Sequence, residues 1–128
     1  MQATDVDAAQ VVASAMDEWK AGIDTHDPGR VSAVFTEDAV FQGLRPYGVG
    51  RQTVAEYYDS QPIGMTVTYR VLQSRSLAGE VVLGYLAAVF GYVDRPAVKL
   101  AIGVVLTRSD DTWQIAQYQA SPLAENDG

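Results

Sequence analysis

Apolar residues recur every three or four positions through the first part of the chain, then give way to long apolar runs in the second half. Ala8, Val12, Ala15, Met16, Trp19 and Ile23 fall on one stripe, with Asp7, Gln10, Ser14 and Asp17 on another side. That spacing predicts an amphipathic helix ending near Thr25. Thr4 is read as its N-cap, with Asp7 at the third helical position as an acidic variant of the capping box. Asp27-Pro28 restarts the chain, with Asp27 as N-cap and Pro28 at the first helical position. Val31, Val34 and Phe35 supply the stripe of a short second helix. Ala39-Val40-Phe41 reads as a short strand and 43–50, with Pro46, Gly48 and Gly50, as a loop. A third helix over 52–59 buries Val54, Tyr57 and Tyr58.

The remainder is strand, over 65–76, 80–92, 98–108 and 113–121. Ala78-Gly79, Asp94-Arg95-Pro96 and Ser109-Asp110-Asp111 are the hairpin turns, so neighbouring strands are antiparallel. The segment from Leu123 onward reads as a frayed tail. Helices followed by one curled antiparallel sheet predict an α+β fold, organised as a single domain over residues 1–128.

Two central strands are apolar on both faces. In the first, Val82, Leu86, Ala88 and Phe90 share one parity, and Val81, Leu83, Tyr85, Ala87 and Val89 the other. In the second, Ala101, Gly103 and Val105 oppose Leu100, Ile102, Val104 and Leu106. A sheet covered on one face alternates apolar with polar. Here both faces call for burial, one by the helices and one by a second copy of the chain, so a homodimer through the outer sheet face is expected. Leu86, Ala88 and Phe90, with Ala101, Gly103 and Val105, are read as the inward set, leaving Ile102 and Val104 for the interface.

The 128 residues carry a formal charge of −7, 48% hydrophobic residues, one histidine and no cysteine. The acidic balance, without a Lys/Arg cluster, argues against nucleic acid and anionic membrane as partners. Without cysteine there is no disulfide or thiolate chemistry, and a lone histidine offers no His–His metal site, so no metal and no cofactor is expected. The first twenty residues lack a basic and apolar leader pattern, and a cytoplasmic location is expected. No apolar run is long enough to span a bilayer.

Acids in the second half, Glu80, Asp94, Asp110, Asp111, Glu125 and Asp127, fall at turns, strand ends or the tail, so a pocket against the sheet would hold no carboxylate. No catalytic residue is assigned. His26, between Asp24 and Asp27, is a capping or surface residue, with a proton shuttle as the alternative. Glu37-Asp38 caps or solvates a strand start, and Glu56 and Asp59 lie on the exposed side of the third helix. Arg51 closes a surface ion pair or sits at a pocket rim. Trp113, Ile115, Gln117 and Gln119 share a parity; with Trp113 inward, both glutamines point to the pocket. Tyr118 then faces the interface unless a bulge intervenes. Lys99 guards the pocket mouth or ends a solvated strand. Gly43, Gly84 and Gly103 either leave room for a cavity or permit sheet curvature.

The order of elements, together with His26-Asp27, Phe35-Thr36-Glu37-Asp38-Ala39-Val40-Phe41, Gly50-Arg51, and Trp113-Gln114-Ile115-Ala116 with Gln119, resembles the SnoaL-like branch of the nuclear transport factor 2-like superfamily over residues 11–121. The SgcJ/EcaC subgroup is the most similar. The resemblance implies a cone: a curved antiparallel sheet wrapped over three N-terminal helices, enclosing a pocket, in a dimeric protein. Members include polyketide cyclases, isomerases and epoxide hydrolases, and others that only bind or dimerise; the subgroup is linked to natural-product biosynthesis, including enediynes. Isomerase-like relatives carry a base, an oxyanion-binding acid and a tyrosine donor at positions that fall by spacing on Gly43, Gly103 and Trp19, so their mechanism is not supported. Tyr58 and Phe35 match pocket-lining aromatics. The resulting expectation is an apolar small-molecule ligand, of polyketide or polyene type, contacted by Trp19, Phe35, Tyr58, Leu86, Phe90, Gly103, Gln117 and Gln119. A non-catalytic dimeric binding or assembly module is the alternative.

Overall fold

Helix α1, Ala8–Asp24, forms because its stripe of Val12, Ala15, Met16, Trp19 and Ile23 can be buried together. The computed structural model describes residues 7–123. Asp7 is the N-cap, not the third helical residue: its carboxylate accepts the Gln10 N–H at 3.1 Å. Thr4 lies outside the described residues. The helix closes in a Schellman turn, with the His26 N–H donating to the Ile23 carbonyl and the Asp27 N–H to that of Gly22. His26 occupies the left-handed position of that turn, at φ 50°, which gives it a structural reason to stand where it does.

Asp27 then caps helix α2, Pro28–Ser32, accepting the Arg30 N–H at 3.1 Å. Because one residue both ends a turn and starts a helix, Asp27→Ala should cost about 0.5–2 kcal/mol. Thermal unfolding of that variant is the check, and an unchanged melting temperature would remove the cap from the account. Gly22 lets the two helices touch: a Cβ there would lie 2.6 Å from Val31 Cγ2 and 2.9 Å from its backbone nitrogen.

Phe35 opens a strand and is not part of the second helix. Strand β1 is Phe35–Gln42, β2 is Gly48–Val49, and helix α3 is Arg51–Asp59. Four long strands follow: β3 Thr66–Ala78, β4 Val81–Gly91, β5 Val98–Ser109 and β6 Thr112–Pro122. They form one sheet in the order β2-β1-β6-β5-β4-β3. All pairings are antiparallel except β1 with β6, which is parallel. Helix α3, between β2 and β3, carries the chain from one edge of the sheet to the other, and three hairpins then lead back to β6 beside β1 in the same direction. Asp110 and Asp111, both at positive φ, make the two-residue turn between β5 and β6. Leu123 is not free, since its N–H donates to the Lys99 carbonyl at 3.0 Å.

The helix-facing side of the sheet is set by register. Leu86 pairs with Ile102, Ala88 with Leu100, and Gly84 with Val104, so Leu100, Ile102, Val104 and Leu106 join Val82, Leu86, Ala88 and Phe90 in the core. The inward reading of β4 therefore holds and that of β5 reverses. Ala101, Gly103 and Val105 lie on the far face, because the four larger aliphatics gain more by burial beneath α1. In β6 the register shifts between Val105 paired with Gln117 and Leu106 paired with Ile115, leaving Ala116 as an extra residue. Ile115 points inward before that bulge and Tyr118 and Ala120 after it. Gln117 and Gln119 are turned outward.

Polar residues on the flank of α1 secure the sheet's free edge at β3. Lys20 pairs with Asp24 and donates to the Val67 carbonyl at 2.8 Å, while Asp24 accepts the Val67 N–H at 3.0 Å. The Tyr69 hydroxyl bonds Asp17 and the Ala13 carbonyl. These contacts use backbone groups that an edge strand otherwise leaves exposed. Arg51 serves the irregular part of β1 in the same way, donating from Nε to the Phe35 carbonyl at 2.7 Å, with Gln114 Nε2 on the Ala33 and Phe35 carbonyls.

Candidate functional site

The core of the cone is a cluster of aromatic rings. Trp19 from α1 is fully buried and meets Phe90 edge-on at 5.9 Å and Tyr118 at 6.1 Å. Phe41 stacks on Tyr118 at 4.9 Å and meets Phe35, Tyr57 and Tyr58 edge-on. Such edge-on and offset pairs add about 0.5–1.5 kcal/mol each beyond their buried area. Among the described residues no side chain in the core is charged.

Three polar groups converge in this apolar setting. The Trp19 indole N–H donates to the Tyr58 hydroxyl at 3.1 Å. The Tyr118 hydroxyl stands beside it, so that each phenol influences the ionisation of the other. Burial pushes both phenols well above their usual range, and the Trp19 and Tyr118 donors only partly offset this for Tyr58. Both therefore stay neutral at physiological pH and serve as hydrogen-bonding groups, not as bases.

Tyr58 and Tyr118 form one wall of a void at the open end of the cone. Gly43, Leu44, Tyr57, Met65, Phe90 and Tyr92 are among its other lining residues. The void has room for about 20 Å³, enough for one water and far short of the roughly 300–1,000 Å³ of a drug-sized ligand site. A cleft of about 210 Å³ adjoins it behind Tyr57 and Arg45. A solvent-open groove of about 600 Å³ lies elsewhere, between α1, α2 and the start of β6, with Val11, Ala15, Val34 and Trp113 in its walls and the Glu18–Arg30 ion pair beside it.

The structure brings together Trp19, Phe35, Tyr58, Leu86 and Phe90, all buried, and of these Tyr58 and Phe90 border the void. It does not bring in Gly103, Gln117 or Gln119. Gly103 lies between Tyr85 and Gln119 on the outer face, and Gln117 pairs with Val105 there. The strand-parity argument fails at these positions because β5 is apolar on both sides and β6 contains a bulge. Gly103 accordingly does not occupy the inward position of the isomerase-like acid; its inward neighbours, Ile102 and Val104, are equally unable to act as one. Gly43 does border the void, and the space of a side chain there is taken by Tyr57. Tyr57 and Tyr118 complete the site that the sequence only half disclosed; Tyr118 enters it because of the bulge at Ala116.

Glu37, Asp38, Glu56 and Asp59 are exposed and none lines the void, though Glu56 lines the adjoining cleft. Asp38 accepts from the Thr36 hydroxyl, and Glu56 from Gln52. Among the described residues no three acids or histidines stand together as a metal site, and no helix is long and apolar enough to cross a membrane.

Comparison with known proteins adds a family and a fold. The family model for the SnoaL-like domain matches residues 12–125. No curated protein is significantly similar in sequence. Among solved structures, a ketosteroid isomerase-like protein from Erwinia carotovora is 21% identical, with a TM-score of 0.80 over 94% of this chain and 99% of that one. A domain of unknown function with a cystatin-like fold from Nostoc punctiforme is 14% identical, with a TM-score of 0.82 over 95% and 81%. An NTF-2-like protein from Shewanella oneidensis is 11% identical, with a TM-score of 0.77 over 88% and 98%. At these identities the likeness concerns the fold.

Proposed function

Because the chain belongs to the SnoaL-like domain family, we propose that it is a small-molecule-binding protein, one that holds a largely apolar ligand of bacterial natural-product metabolism at the open end of its cone. The observation that carries this reading is the Trp19–Tyr58–Tyr118 group. It is the one cluster of hydrogen-bonding side chains found in the described core, and its two tyrosines border the void there. A buried hydroxyl set in aromatic walls suits a ligand with an apolar body and one oxygen at its inner end. A polyketide- or polyene-derived ligand, of the kind handled by the SgcJ/EcaC subgroup and in enediyne pathways, fits that description.

Any reaction here would rest on orientation by neutral donors and on water exclusion, since among the described residues no carboxylate enters the core. The ketosteroid isomerase-like neighbour supports the fold, not that neighbour's chemistry.

Native mass spectrometry of the protein purified from its own host is the test, read as a co-purified mass that is lost on Tyr58→Phe. No bound mass, together with no binding of any apolar oxygen-bearing probe, would reject the reading.

A second reading is a non-catalytic homodimeric module. It is favoured by the small size of the void and by an outer sheet face on which Leu83, Tyr85, Ala87, Val89, Ala101, Gly103 and Val105 form one apolar field. Tyr85 is 44% exposed at its centre. A cytoplasmic dimer with a bound small molecule would satisfy both readings. A monomer by light scattering would remove the second.

A further inference from the structure

We propose that Tyr57 is the gate of the ligand site, and that a ligand reaches Tyr58 from the side of the loop after β1 when the Tyr57 ring swings out. This rests on the binding reading above and explains how a void of about 20 Å³ could admit a ligand at all.

The void and the neighbouring cleft of about 210 Å³ share two residues, Gly43 and Tyr57. Tyr57 therefore stands between them. Its phenol lies where a side chain at position 43 would be: a Cβ on Gly43 would fall 2.6 Å from both Cζ and Oη of Tyr57. Glycine at the end of β1 makes room for the closed gate.

The ring is held by one weak hydrogen bond and by contacts along its edge and face. Its hydroxyl accepts one long hydrogen bond, from the Leu44 N–H at 3.4 Å. Arg45 places its guanidinium 5.9 Å from the ring centre, on the cleft side. Phe41 and Tyr58 touch it edge-on at 5.1 and 5.0 Å. Tyr57 is half-buried, unlike its neighbour Tyr58, which is locked beneath Trp19. A rotation about the Tyr57 side-chain bonds leaves α3 in place. With the ring out, void and cleft become continuous, and the space the phenol leaves is bounded by Gly43, Phe41 and Tyr58.

The opened site has Phe41, Tyr58 and Phe90 in its inner walls, Arg45, Thr53 and Glu56 at its mouth, and the Tyr58 hydroxyl at its inner end. It would take a small planar apolar molecule whose leading oxygen meets Tyr58, entering past Arg45. The closed ring lowers apparent affinity by the fraction of open molecules, so removing it should both speed and tighten binding.

The test uses naphthol as probe, with calorimetry for affinity and stopped-flow fluorescence for rates, on the parent, Tyr57→Ala and Gly43→Ala. Tyr57→Ala removes the gate. Gly43→Ala fills its seat and displaces the flexible far end of the phenol. Both should raise the association rate by about tenfold or more and tighten binding, whereas Tyr58→Phe should weaken binding without faster entry. If the parent binds naphthol and both gate variants associate at the parental rate, the gate is wrong and the binding reading stands. If the parent and both folded variants all fail to bind, the binding reading falls and the gate with it. Should Tyr57→Ala not fold, Gly43→Ala decides alone, and an unchanged association rate there overturns the proposal.

Discussion

Val104→Lys should unfold the protomer, not merely part a dimer. Val104 is 1% exposed, on the helix-facing side of β5. It pairs with Gly84 and Tyr118 across the sheet, and its Cγ2 lies 3.0 Å from where a Gly84 Cβ would be. Val12 of α1 closes the same spot. A lysine ammonium there would have no buried carboxylate among the described residues to meet. An uncompensated buried charge costs about 3–5 kcal/mol, a large part of a small domain's stability. At roughly 3–5 °C per kcal/mol for a domain of this length, the melting temperature should fall by more than about 9 °C. Tyr85→Lys is the contrasting variant. It places the same charge on the outer face, should leave the protomer folded, and should lower the mass by light scattering if that face is the interface. A Val104→Lys protein that melts like its parent would mean that the two faces of β5 are reversed.

The contrast between those two variants marks how far the sequence could be read. Local signals worked where they were self-sufficient. The 3.6-residue stripe gave α1, Asp27-Pro28 gave the start of α2, and the turn residues gave all three hairpins within a residue or two. The fold class and the inward face of β4 followed. What failed depended on contacts distant in sequence. β5 is apolar on both sides, so its alternation does not say which side faces the helices; that is decided by its pairing with β4. In β6 one extra residue, Ala116, inverts every later side chain, which moved Gln117 and Gln119 out and Tyr118 in. The parallel pairing of β1 with β6 and the strand conformation of Phe35 also depend on partners some eighty residues away. The candidate site was legible in kind, as aromatic walls without a carboxylate. Its polar centre was not, because Tyr118 was visible only to a reading that knew of the bulge.

Trp19→Ala should be the most damaging truncation of the aromatic core, at about 3–5 kcal/mol. The indole is fully buried and touches elements from both sides of the cone: Tyr69 on β3 at 6.3 Å, Phe90 on β4 and Tyr118 on β6. Removing it deletes these ring contacts and takes the N–H from Tyr58. Trp19→Phe keeps one six-membered ring but loses the N–H and the volume of the pyrrole ring, so it should cost less than Trp19→Ala, with about 1–3 kcal/mol from the weakened hydrogen bonding of the Tyr58 hydroxyl and a smaller cavity cost added. Tyr58→Phe removes the acceptor, so combining it with Trp19→Phe should cost less than the sum of the singles. Urea unfolding of the four variants supplies the cycle. The space vacated by the indole adjoins Tyr58, so Trp19→Ala should also bind naphthol more tightly than the parent under conditions where both are folded. A loss below about 1 kcal/mol for Trp19→Ala, or strictly additive phenylalanine variants, would show that the cone is not organised around the Trp19–Tyr58 contact.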